Sequence, residues 1–122
     1  MTIHEAIVAL DTRRQNVFTR QEKLRWLSQL DGRICAEILC AYGQTGPDFQ
    51  GYTDATDPET ALLVPAPWEE MYLWYMEAQM YLADGESVRY ENASAMFNAC
   101  FTGYKNHYHR THTPKGTNWR YF

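Results

Sequence analysis

The stretch Leu62–Ala83, LLVPAPWEEMYLWYMEAQMYLA, decides how the rest of the chain must be arranged. It opens with the apolar run Leu62-Leu63-Val64 and continues through Pro65-Ala66-Pro67. A helix is predicted from Pro67 to Ala83. Proline suits a first turn, where its missing N–H would have no partner anyway, and Glu69 and Glu70 fall at the positive end of the helix dipole. Trp68, Met71, Tyr75, Ala78 and Leu82 recur at helical spacing and are expected to face a core. The other side, with Tyr72, Trp74, Met76, Met80 and Tyr81, is almost as apolar. A helix apolar nearly all round is buried on most sides or lies in a membrane. Glu69, Glu70, Glu77 and Gln79 break the run, so it is not the span of about 20 apolar residues that a bilayer requires. A chain of 122 residues can hardly enclose such a helix alone. Tyr72, Trp74, Met76, Met80 and Tyr81 are therefore expected to form a subunit interface.

Outward from this helix, the chain reads as all-α. Thr2 and Glu5 have the spacing of a capping box, and Ile3, Ala6, Ile7 and Leu10 give a short amphipathic helix, followed by a polar connector over Asp11–Phe18. Thr19-Arg20-Gln21-Glu22 is a second capping box. It opens a helix predicted from Arg20 to Tyr42, with Leu24, Leu27, Leu30, Ile34, Ile38 and Ala41 on one face and Lys23, Gln29, Arg33 and Glu37 mostly elsewhere. Gly32 inside it costs about 1 kcal/mol relative to alanine, which close helix packing or a bend would explain. Gly43 is a natural stop. Gln44–Thr60 is a loop of Gly, Asp, Thr and Pro, with turn signals at Gly46-Pro47 and Asp57-Pro58. Leu62–Val64 then forms a short strand or an extended anchor. Together they make a long connection for so small a domain, the kind that carries function or orders on a partner. Asp84-Gly85-Glu86 makes a corner. A last helix is predicted over Ser87–His109, with Tyr90, Ala93, Phe97, Cys100, Tyr104 and His107 as its inner stripe. Pro114 disfavours helical geometry at Thr113. The expected architecture is a bundle of about four helices spanning residues 1–114, with one long irregular loop and an extended tail, Lys115–Phe122.

Composition narrows the function classes. The net charge of −4 hides a separation: Ile34–Val88 holds ten acids and no lysine or arginine, and the remainder holds eleven bases against five acids. After Tyr104 there are no acids, only Lys105, Arg110, Lys115, Arg120 and three histidines. Such segregation bears on association and steering. The N-terminal MTIHEAIVAL lacks the basic start and long apolar stretch of a signal peptide. Cys35 and Cys40 lie about 7.5 Å apart along one predicted helix and point in different directions, so they cannot bond to each other. Buried reduced thiols are expected, and the Asn92-Ala93-Ser94 sequon is then incidental.

The residues that invite a chemical reading lack the required spacing. His107 and His109 diverge on a helix, and His109 with His112 supplies two imidazoles where zinc takes three or four protein ligands. Asp54, Asp57 and Glu59 lack the alternation, central glycine and distal glutamate of a calcium loop and are expected to be turn residues. Glu69 and Glu70 diverge by about 100° and already serve the helix dipole. No Gly-rich phosphate loop or nucleophile motif is present. Neither an enzyme nor a cofactor is expected. Lys115, Trp119, Arg120, Tyr121 and Phe122 are interface-type residues, expected to dock on a partner.

Three segments together resemble a known family. They are Arg20-Gln21-Glu22-Lys23-Leu24-Arg25-Trp26-Leu27 with Leu30-Asp31; Leu62–Tyr72 with Tyr75-Met76-Glu77-Ala78-Gln79; and Arg89-Tyr90-Glu91-Asn92 through Met96-Phe97-Asn98 and Tyr104. They are similar to the head-tail connector (adaptor) proteins of long-tailed bacteriophages and prophages. The resemblance covers most of Thr19–Pro114 and rests on packing motifs. It implies a helical subunit of a ring of about a dozen copies beneath the portal protein. That ring sits in the virion neck after assembly in the bacterial cytoplasm, extends the DNA channel, receives the next neck or tail protein, and meets no membrane. A lumen that lets DNA slide should carry no phosphate-binding cations, since those contacts hold DNA. Asp48, Asp54, Asp57 and Glu59 are the expected channel-facing residues, and the tail is expected to dock on the portal, as an added strand for example. Two alternatives stay open. One is a different neck or tail-completion protein of the same virion. The other is a small helical DNA-binding or regulatory protein using Arg13, Arg14, Arg20, Lys23, Arg25 and Arg33, against which net acidity and the lack of helix-turn-helix spacing argue.

Overall fold

The computed structural model describes residues 1–39 and 49–111 and is all-α over them, with four helices. Helix α1 spans Ile3–Arg13, α2 Arg20–Ile34, α3 Glu70–Asp84 and α4 Ser87–Thr111. Both capping boxes form. The Thr2 side chain accepts from Glu5 N–H and the Glu5 side chain accepts from Thr2 N–H, and Thr19 and Glu22 do the same at α2. An 11-residue helix is too short to persist alone, so α1 depends on burying Ile3, Ala6, Ile7 and Leu10. All four are in the core, as their spacing predicts.

Helix α2 buries the expected stripe, Leu24, Leu27, Leu30 and Ile34, and then widens into one π-helical turn over Cys35–Leu39. The wide turn brings both Ile38 and Leu39 inward. Gly32 is not explained by close packing, because a Cβ there would meet Phe49 at an ordinary 3.8 Å. Ala41, Tyr42 and Gly43, the expected end of this helix, lie outside the described residues.

Helix α3 begins three residues later than expected. Pro67 is not its first residue: the Ala66–Pro67 bond is cis, and Trp68 N–H donates to Pro65 O at 3.0 Å, closing a tight turn. Two further three-residue bonds, Met71 N–H to Trp68 O and Tyr72 N–H to Glu69 O, lead into the helix. This entry lays Trp68 across α4. Its ring is 6.4 Å from the Tyr104 ring and 5.7 Å from that of His107. At the other end Gly85, with φ +75°, closes a Schellman cap: Glu86 N–H donates to Tyr81 O and Gly85 N–H to Leu82 O. The expected corner at Asp84-Gly85-Glu86 is there.

The expected interface on α3 is inside the subunit. Helices α1, α2 and α4 all pack against α3. Tyr72 and Met76 are wholly buried, Met80 and Tyr81 nearly so, and Trp74 is half-buried beneath the Arg13 guanidinium, 4.5 Å from its ring. The chain buries most of the apolar surface of this helix itself, with Leu62 and Val64 joining the same core. Conversely Leu82, assigned to the core by spacing, lies past the last packed turn and is 57% exposed. On α4 the buried stripe is Ala93, Phe97, Phe101 and Tyr104, with Tyr90, Cys100 and His107 at its edge. Phe97 stacks with Tyr75 at 5.3 Å and Phe101 at 5.6 Å.

The Trp68 contact is the tightest approach to a glycine among the described residues. A Cβ at Gly103 would lie 2.8 Å from Trp68 Cζ3, so the indole would have to move. Gly103→Ala should cost about 1–3 kcal/mol in denaturant unfolding, with a shift in tryptophan emission. Unchanged stability and emission would show that Trp68 does not hold this position.

Candidate functional site

The long connection before α3 is fastened to the bundle by one buried acid. Asp31, on α2, is fully buried. Its Oδ2 accepts from Tyr52 Oη–H at 2.5 Å and from Leu63 N–H at 3.1 Å, and its Oδ1 accepts from Tyr72 Oη–H at 2.6 Å. The Tyr72 hydroxyl in turn accepts from Val64 N–H at 2.8 Å. One carboxylate thus ties α2, α3 and two points of the connection together. Burial raises the Asp31 carboxyl above its ordinary range, with the three donors opposing. Burial and the neighbouring carboxylate push both tyrosine hydroxyls well above theirs, so each remains a donor.

The rest of the connection is held as well. Tyr52 N–H donates to Ser28 Oγ at 3.1 Å, beside Gly51, whose φ of +91° favours glycine and where a Cβ would press on that same oxygen. The first N–H groups of α1, which have no partner within their helix, donate to the connection: Ile3 to Thr60 O at 3.0 Å and His4 to Pro58 O at 2.9 Å. Leu62 N–H donates to Met1 O at 2.9 Å, and Thr2 bridges antiparallel to Ala61. The segment expected as a short strand or anchor is an extended anchor.

Among the four expected channel-facing acids, Asp54, Asp57 and Glu59 are exposed on this fastened segment. Asp54 accepts from Gln21 Nε2 at 2.9 Å, and Asp57 accepts from Glu59 N–H at 2.9 Å in an Asx turn. Asp48 lies outside the described residues. So do His112 and the docking tail Lys115, Trp119, Arg120, Tyr121 and Phe122. The expected interface residues Tyr72, Trp74, Met76, Met80 and Tyr81 contribute to the core and, through the Tyr72 hydroxyl, to the Asp31 cluster.

Two further charged residues sit where spacing did not place them. Glu77 is 2% exposed, with Arg14 Nε 3.3 Å from Oε1 and Arg13 Nη1 3.4 Å from Oε2. Lys23 is buried with its ammonium 2.5 Å from Asp11 Oδ1. A signal for the two buried acids existed. Asp31 falls seven residues after Leu24 and three before Ile34, on the core stripe of α2, and Glu77 falls between Leu73 and Met80 on α3. An acid at a core register needs a partner, although the register does not say which.

Among the described residues no three His, Cys, Asp or Glu side chains are grouped to hold a metal ion. A groove of about 540 Å³ between α2 and the connection is lined by Arg25, Ser28, Gln29, Tyr52 and Asp54 among others. A second, of about 500 Å³, lies beside Asp11 and Lys23. Neither brings a cysteine or histidine to its walls. No helix among the described residues is long and apolar enough to cross a membrane. No protein-family model, curated protein or solved structure matches the chain.

Removing the Asp31 acceptor should release the connection. Asp31→Ala leaves two hydroxyls and one N–H unpaired in the core and should cost about 3 kcal/mol or more. The pH dependence has a definite sign. Folded Asp31 holds its proton more tightly than unfolded Asp31, so its contribution is fullest below the ordinary carboxylate range and is lost as pH rises through the raised value. Wild type should therefore lose stability relative to Asp31→Asn as pH rises from about 4, read by denaturant melts at each pH. A difference independent of pH, or one moving the other way, would contradict the burial of this carboxyl.

Proposed function

We propose that the chain is a structural virion subunit of the head-tail connector type, forming a ring under the portal that extends the DNA channel and joins head to tail. The observation that carries this reading is the fastened acidic connection. Asp54, Asp57 and Glu59 are exposed on a segment held to the bundle at Ser28, Asp31, Tyr72 and the start of α1, within a stretch that contains no lysine or arginine. A channel wall for sliding DNA needs such a surface: negative, so that phosphates are not captured, and held in place while the polymer moves past. The resemblance of the packing segments to connector proteins supplies the assembly in which that surface has a use.

The DNA-binding alternative is disfavoured by where its cations lie. Of the six basic residues it would use, Arg13 and Arg14 pair with Glu77, Lys23 with Asp11 and Arg33 with Glu37. Arg20 and Arg25 are the two of the six with no ion pair among the described residues, and the acids beside the other four weaken the pull of this face on phosphates. A different neck or tail-completion protein remains the nearer relative of the connector reading.

Mixing the protein with the portal protein of the same genome should give a stoichiometric complex by light scattering. A protein whose mass ignores the portal would overturn the connector reading. Reversing the charges of Asp48, Asp54, Asp57 and Glu59 together should leave the complex intact and impair DNA packaging or ejection. Full infectivity of that variant would remove the acidic segment from the channel.

A further inference from the structure

We infer that the basic-aromatic segment Lys115–Phe122 of one copy docks in an apolar hollow at the α3–α4 corner of a second copy. The hollow, of about 120 Å³, is lined by Tyr81, Leu82, Gly85, Ser87 and Tyr90. Its volume suits a single aromatic side chain rather than a helix. Leu82 is 57% exposed and the adjoining Val88 71%, so this corner carries large apolar side chains that the subunit itself leaves uncovered.

Charge favours this occupant. Asp84, Glu86 and Glu91 surround the corner and are exposed, against Arg89, which pairs with Glu86 at 3.6 Å and lies over the Tyr81 ring, and Arg14, which reaches Tyr81 while paired with Glu77. The segment beyond Tyr104 has no acid at all and combines Lys115 and Arg120 with Trp119, Tyr121 and Phe122. It offers both the rings that the hollow takes and the cations that its rim attracts.

Reach and ordering cost favour a neighbour's segment over the chain's own. The segment leaves α4 at Thr111, while the hollow lies at the opposite end of that helix, beside Ser87 and Tyr90. Twenty-one residues separate Tyr90 from Thr111, about 32 Å of helix. Trp119 is eight residues beyond Thr111 and reaches at most about 29 Å even fully extended. Trp119 would enter the hollow of its own chain only with its backbone fully extended and its indole at the end of its reach. Tyr121 and Phe122 could reach it as an extended segment laid along most of α4, at an ordering cost. A second copy stacked end to end places the two together without that cost.

Such a contact is heterologous, with different surfaces on its two sides. It propagates into a ring if the rotation between copies closes and into an open chain if it does not. Closure into a ring rests on the connector reading, whereas the pairwise contact does not. The inference assigns the segment to a neighbouring copy rather than to the portal.

Complementation between two variants of the full chain tests it. Leu82→Arg fills the hollow with a cation and, being at an exposed position, should leave helicity and melting unchanged. The double variant Trp119→Ala, Phe122→Ala removes the rings. Sedimentation of wild type across a concentration series should show rising mass, and each variant alone should stay at the mass of one chain. An equimolar mixture should form a heterodimer and stop there, since one intact hollow and one intact segment remain. A wild type that stays monomeric throughout, a variant that associates like wild type, or a mixture that does not pair would each overturn the inference. So would a double variant that loses portal binding while still self-associating. Self-association by this route without portal binding would instead remove the connector reading and leave the contact standing.

Discussion

A carboxylate with no solvent holds the described structure together at its least regular point. Transferring an unpartnered charged group into the core costs several kcal/mol, and Asp31 offsets that with three donors, two of them short hydroxyl contacts. Charge-assisted bonds contribute about 1.5–3 kcal/mol each, so donors and desolvation are of similar size and the net stabilisation is small. The larger consequence is directional. An apolar side chain at residue 31 could fill the space but would give the connection no reason to lie in this register. Tyr52, Leu63 and Val64, directly or through Tyr72, each meet a polar partner in only one arrangement.

The other features follow from that arrangement. With Leu62 and Val64 held over the bundle, Tyr72, Met76, Met80 and Tyr81 on the second apolar face of α3 become core rather than a docking surface. With Thr60 and Pro58 carbonyls held beside α1, the first N–H groups of that short helix are satisfied. The Glu77 cluster closes the opposite end of α1 onto α3, giving Arg13 and Arg14 a buried acidic partner. The charge separation visible along the chain is thereby sharpened. Arg13 and Arg14 pair with the buried Glu77, Lys23 with Asp11 and Arg33 with Glu37, and the exposed acids of the connection keep no such partners among these bases.

Local signals carried much of this fold and long-range ones did not. Both capping boxes, the α1 and α2 stripes and the Gly85 corner follow from residues a few positions apart, and each is where spacing predicts it. Proline suits both a first helical turn and a tight turn ahead of it, so the start of α3 is not legible locally, and Trp68 beyond that turn packs against Gly103, thirty-five residues away. Enclosure of Tyr72, Met76, Met80 and Tyr81 depends on the connection folding back, which periodicity cannot express. Asp31 was legible as an acid on a core stripe, but Tyr52 and Tyr72 lie 21 and 41 residues from it. The exposed acids at residues 54, 57 and 59 were legible as turn formers, and their fastening was not.

The central claim is that the acidic connection is fastened to the bundle rather than draped over it. Native-state amide hydrogen exchange resolves this at single residues. If Asp31 and Tyr72 hold the segment, Leu63 and Val64 should exchange nearly as slowly as the core amides of α2, while the exposed residues near Asp54 exchange fast. Leu63 and Val64 amides exchanging as fast as those around Asp54 would contradict the account, because the segment would then open independently of the bundle.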